Sequence, residues 1–164
     1  MRALALPLLV CSLAAHAAPG QANREIDMAG FLSNATAAAA HRESRRVDEA
    51  TFVRMMREPG TIVLDARSRP MYERRHVKGA VSLSLPDFTA ATLAAAIPDP
   101  SARVLIYCNN NFANDPTAFP LKAAPASLNL STYVALYTYG YRNVYELAPY
   151  VDVKGTPIPL MPRP

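Results

Sequence analysis

TIVLDARSRPMYERRHVKGAVSLSLPDFTAATLAAAIPDPSARVLIYC, residues 61 to 108, sets three short apolar runs among segments with helical spacing. TIVLD (61–65), AVSLSL (80–85) and VLIYC (104–108) are β-branched or apolar and bounded by turn residues, so each reads as a strand. SRPMYERRH between the first two reads as a short helix, and DFTAATLAAAI between the second and third as another, with Asp87 as its N-cap. Strand and helix alternate, which predicts an α/β domain whose mostly parallel sheet carries helices on both faces.

The pattern continues on both sides. Upstream, VDEATFVRMMREPG predicts a helix capped by Asp48, with Phe52, Met55 and Met56 as its apolar stripe and Pro59-Gly60 as its stop. Before it, the alanine-rich segment 26–41 predicts an N-terminal helix packed on the domain. Downstream, SLNLSTYVALYTYG predicts a helix capped by Ser127 and stopped by Gly140, burying Leu130, Tyr133, Val134 and Tyr137. NVYEL (143–147) adds a strand. The tail 151–164 holds four prolines and is expected to run extended over the surface.

The chain opens MRALALPLLVCSLAAHAAPG, with Arg2 before an apolar run and a small-residue site at Ala15-His16-Ala17. This predicts a signal peptide, residues 1–17, and an exported protein, periplasmic or secreted. Val10 weakens a lipoprotein reading of Cys11. No segment reaches the roughly 20 apolar residues of a membrane span. The formal charge of +4 falls by one with Arg2, which is too mild for a nucleic-acid partner, and the basic run HRESRRVDE has the interleaved acids of a solvated helix face. Removal of Cys11 would leave Cys108 as the sole cysteine, either an inert buried residue or a reactive thiol.

Two segments resemble the rhodanese-like domain family, whose members carry a cysteine that accepts sulfane sulfur as a persulfide. LDARSRPMYERRHVKGAVSLSL is similar to the family pattern at Asp65, Arg67, Tyr72, His76, Val77, Gly79 and Ala80. VLIYC with the later YGYRNVYEL is similar to its cysteine-bearing strand and closing segment, at Cys108, Gly140, Tyr141, Val144 and Leu147. The resemblance implies a rhodanese-like three-layer α/β domain over residues 46–150. It would be preceded by a helical extension, 18–45, and followed by the proline-rich tail, 151–164.

The same resemblance implies a sulfurtransferase, similar to thiosulfate sulfurtransferases, in which Cys108 is the nucleophile. Asn109, Asn110, Asn111, Phe112 and Ala113 would form the active-site loop, their backbone N–H groups converging on the sulfur. The asparagines serve equally as turn formers. Arg67 is the candidate for binding an anionic substrate, Asp65 is read as an intradomain ion pair or cap, and His76 as a structural hydrogen-bonding residue. No cofactor or metal is implied. The partner would be a small sulfur compound or a protein-bound sulfur donor or acceptor.

The loop departs from the family pattern. CNNNFANDPTAFPLKAAPAS has neither glycine nor arginine before Ser127, and Pro116, Pro120 and Pro125 forbid a regular helix through it. A non-catalytic binding module of the same fold is therefore the alternative. A cysteine phosphatase or arsenate reductase needs an arginine at the far end of the loop. Position 114 is Asn114 and the first arginine after Cys108 is Arg142, which counts against that chemistry.

Overall fold

The structure, a computed structural model, describes residues 23–162; the segment 1–17, expected to be a signal peptide, lies outside them. The chain runs α1 (Met28–Arg42), β1 (Arg46–Val47), α2 (Glu49–Met55), β2 (Thr61–Asp65), α3 (Arg69–Arg74), β3 (Arg75–Val77), β4 (Val81–Ser82), α4 (Ala90–Ala96), β5 (Arg103–Tyr107), β6 (Phe112–Ala113), α5 (Leu128–Thr138), β7 (Val144–Leu147), β8 (Val151–Asp152) and β9 (Leu160–Pro162). Five strands form the central sheet in the order β1-β7-β5-β2-β4, and every pairing in it is parallel. The α/β class with a mostly parallel sheet is as the strand-helix alternation predicts.

Period-two alternation sorts the core into two layers. Val63, Leu105, Tyr107 and Leu147 pack with Phe52 and Val53 of α2 on one face. Leu64, Val104, Ile106 and Val144 face Ala38 of α1, Leu93 of α4, and Tyr133 and Leu136 of α5 on the other. Continuing the alternation past β5 puts position 108 on the α5 side.

Several helix ends follow from local chemistry. Asp48 accepts from the Thr51 amide at 2.7 Å and starts α2. Gly140, at φ 94°, lets the chain reverse after α5, with the Tyr141 amide bonding back to Leu136 O at 3.0 Å. Three expectations are corrected. α4 is capped by Thr89, which shares a capping box with Thr92, because Asp87 is held in the preceding 3₁₀ turn. The 80–85 strand pairs only over Val81–Ser82; Leu83 and Leu85 then hold the sheet edge by amide bonds to Asp65 O and Ala66 O.

The third correction concerns α5, whose sheet-facing side is Asn129, Thr132, Tyr133 and Leu136. Leu130 and Val134 are half-buried because they line a cavity against Ala35, Ala38 and Ala39 of α1. His41 Nδ1 meets the Tyr133 hydroxyl at 2.9 Å across that contact, and burial pushes this phenol up to about 12. Leu136→Ala should therefore cost about 2–5 kcal/mol, the usual penalty for a large-to-small core change. Val134→Ala should cost clearly less. Chemical denaturation of the two variants checks the order, and a reversed order would mean α5 is turned the other way.

The tail, residues 151–162, does more than cover the surface. β8 pairs with β6, β9 runs antiparallel to β3, and Ile158 is buried in the α2-side core.

Candidate functional site at the end of β5

Cys108 leaves β5 on the α5 side, at the C-terminal edge where parallel sheets place their ligand crevices. It is 1% exposed. The Ser127 hydroxyl lies at the sulfur, with Sγ and Oγ 3.4 Å apart. Ser127 occupies the N-cap position of α5 but makes no side-chain cap bond there. Sequence reasoning assigned that hydroxyl to the helix end, whereas the fold presents it to the thiol.

Of the loop amides expected around the sulfur, that of Asn111 faces the Cys108 side chain in a capping-box arrangement. Asn109–Asn111 is a 3₁₀ turn. The Asn111 amide bonds Cys108 O at 3.2 Å, the Phe112 amide bonds Asn109 O, and Ala113 belongs to β6. The turn is directed inward because Phe112 is a core residue, packed in a tilted pair with Phe119 at 4.5 Å between ring centroids. The long insertion is thus anchored by Phe112 and Phe119 and does not stand open.

The three asparagines divide their work. Asn111 is buried; its Oδ1 accepts from Cys108 N at 2.9 Å and from Asn129 Nδ2 at 3.0 Å. Its Nδ2 donates to Leu147 O at 2.7 Å and to Pro149 O at 3.2 Å. Asn110 clips the insertion shut, donating to Lys122 O at 2.8 Å and accepting from Lys122 N at 3.2 Å. Asn109 is buried with its Oδ1 unpartnered. The asparagines form the turn, and Asn111 holds the Cys108 backbone amide.

Cys108 lines a cavity of about 280 Å³ together with Arg42, Arg46, Asn110, Asn111, Ser127, Asn129 and Glu146. Arg42, at the end of α1, forms a bidentate pair with the buried Glu146 of β7, Nη2 to Oε1 being 2.7 Å. The Glu146 bond, working against burial, holds the Arg42 guanidinium more firmly protonated than usual. Arg46 stands in register with Glu146 across the β1–β7 pair. It is exposed, and its guanidinium makes no ion pair among the described residues. Sequence reasoning took HRESRRVDE for a solvated face and missed both arginines. The available signal was Glu146 itself, a carboxylate amid the apolar strand VYEL, which requires a buried cation nearby.

Arg67 is brought close to the β2 end but not into the thiol cavity. It is 1% exposed, and all three of its guanidinium nitrogens donate to the protein. Nε and Nη2 hold Asp65, Nη1 donates to Ala118 O at 2.9 Å, and Nη2 also reaches Arg75 O at 2.6 Å. Burial depresses its pKa, but Asp65 outweighs that and the net shift is upward. Burial and the Asp65 charge push the Tyr107 phenol well above its ordinary range, so it stays a donor to Asp65. Arg67 is a strut joining β2, β3 and the insertion, and Asp65 is the intradomain ion pair expected. His76 stacks on Tyr72 at 3.9 Å between centroids, with Nδ1 2.9 Å from Tyr72 O, a structural placement.

A second cavity of about 380 Å³, lined by Arg67, Ser68, Ser84, Asn109 and Lys122 among others, does not include the thiol. Among the described residues no three His, Cys, Asp or Glu side chains converge as metal ligands, and no helix is long and apolar enough to cross a membrane.

Among solved structures, the rhodanese-like domain of an Anabaena protein is 17% identical, covers 72% of this chain and 79% of its own, and has a TM-score of 0.48. A rhodanese from E. coli, solved with anions, is 24% identical over 62% of this chain and 98% of its own, TM-score 0.42. A Bacillus halodurans protein is 20% identical over 73% and 77%, TM-score 0.47. No curated protein matches the chain. The model of the rhodanese-like domain matches residues 48–148, a span that takes in every element from α2 through β7 and leaves α1, β1 and the tail strands outside. Since that match covers more than half of the sequence, the chain belongs to the rhodanese-like domain family.

Proposed function

We propose that the protein is an exported sulfur carrier, a sulfurtransferase in which Cys108 holds sulfane sulfur as a persulfide. The observation that supports this reading is the Cys108 side chain on a polar cavity whose rim carries Arg46. With thiosulfate as donor, the Cys108 thiolate attacks the outer sulfur, the S–S bond of the donor breaks, and sulfite leaves with the bonding pair. The persulfide anion on Cys108 then gives its outer sulfur to a nucleophile such as cyanide, which regenerates the thiolate. A persulfide anion in this cavity lies beside the cationic rim, which favours the charged form. Export follows from the signal-like segment 1–17, and N-terminal sequencing of secreted protein tests it.

A second reading, a non-catalytic binding module, draws on the 1% exposure of Cys108 and on the Asn111 and Phe112 amides, which bond the Cys108 and Asn109 carbonyls. Steady-state thiocyanate formation from thiosulfate and cyanide separates the two. Wild-type protein should turn over and Cys108→Ser should not. Equal background rates for both would favour the module.

A further inference from the structure

The amide chain at the cavity fixes its own orientation. Asn111 must present oxygen to the Cys108 amide and nitrogen to the Leu147 and Pro149 carbonyls. Its Oδ1 also faces Asn129, so Asn129 must turn its nitrogen inward to donate to it. The remaining Asn129 atom, Oδ1, is then an acceptor, and among the described residues it has no partner although Asn129 is only 3% exposed. The same cavity wall holds Arg46, a guanidinium without an ion pair among the described residues, and Glu146, whose carboxylate is paired among them with Arg42. A buried acceptor asks for an N–H donor, and an unpaired guanidinium asks for an anion.

We infer that the Cys108 cavity recognises the zwitterionic head of a sulfur-containing amino acid, its carboxylate on Arg46 and its ammonium on Asn129 Oδ1, so that the sulfur donor is an amino-acid persulfide. This rests on the sulfur-carrier reading of Cys108. At about 280 Å³ the cavity is at the small end of ligand pockets, which suits an amino acid better than a longer peptide. The step balances without another reactant: the Cys108 thiolate attacks the terminal sulfur of R–S–SH, Cys108–S–SH forms, and R–S⁻ leaves. Arg46 lies before residue 48, so this recognition would use a residue outside the family match.

The test separates recognition from transfer. Cys108→Ser protein is titrated by calorimetry with S-methylcysteine, with 3-(methylthio)propionate, which lacks the ammonium, and with 2-(methylthio)ethylamine, which lacks the carboxylate. S-Methylcysteine should bind at least about tenfold more tightly than either truncated compound, the usual scale for one hydrogen bond to a charged group. Adding Arg46→Gln should remove its advantage over 2-(methylthio)ethylamine and leave that amine's own affinity unchanged. Equal affinity for all three, no binding, or no effect of Arg46→Gln overturns the inference, and the comparison of the three ligands decides it even if the double variant misfolds. Sulfur loading of wild-type Cys108 from thiosulfate is measured in parallel. Loading without S-methylcysteine binding leaves the carrier reading and removes the inference. Binding without loading from thiosulfate or cysteine persulfide supports the recognition and removes the carrier.

Discussion

Arg67→Ala should lower the unfolding free energy by about 3–5 kcal/mol, the scale for removing one partner of a buried ion pair. The change strands the Asp65 carboxylate, 0% exposed, with only the Tyr107 hydroxyl and the Arg67 amide as donors. It also removes the donors to Ala118 O and Arg75 O, so β3 and the insertion lose their common tie. Arg67→Lys should rescue little, because an ammonium cannot reproduce a planar fork serving Asp65 and two carbonyls at once. Urea denaturation supplies the measurement. A variant of unchanged stability but weakened anion binding would restore Arg67 to the substrate site.

Asn111→Ala should be the most damaging change in the asparagine run. It leaves the Cys108 amide and Asn129 Nδ2 without their acceptor, and Leu147 O and Pro149 O without a donor. Each buried group left unpaired costs about 1–3 kcal/mol, and since the four are neighbours their costs will not simply add. A loss of about 3 kcal/mol or more is expected. Asn110→Ala removes an exposed clip to Lys122 and should cost about 1 kcal/mol or less. Comparable, small effects at both positions would show that the turn is held by its backbone alone.

These two sites mark how far the sequence could be read. Strands at 61–65, 104–108 and 143–147 and the stops at Gly60 and Gly140 are local features, carried by adjacent residue types. So is the Asp48 cap. The fate of CNNNF is not local: Asn111 finds partners at Asn129, Leu147 and Pro149, all distant in the chain, and Phe112 finds Phe119 across the insertion. Helix α5 is apolar on more than one side, so its pattern does not tell which stripe meets the sheet and which meets α1. Arg42 and Arg46 sit in a run with the composition of a solvated face, and only the parallel pairing of β1 with β7 brings them to the thiol. Arg67 matched a family position and lies near the crevice edge, yet its donors are spent on Asp65 and two carbonyls, which no reading of residue types could disclose.

The most direct test is the mass of the intact chain. Wild-type protein is incubated with thiosulfate or cysteine persulfide, freed of excess donor, and weighed before and after exposure to a thiol acceptor, beside a Cys108→Ser control. Wild type should gain one sulfur atom, mapped to Cys108, and lose it to the acceptor; the control should gain none. A wild-type chain that gains no sulfur from either donor, or a Cys108→Ser chain that gains as much, would contradict the sulfur-carrier reading.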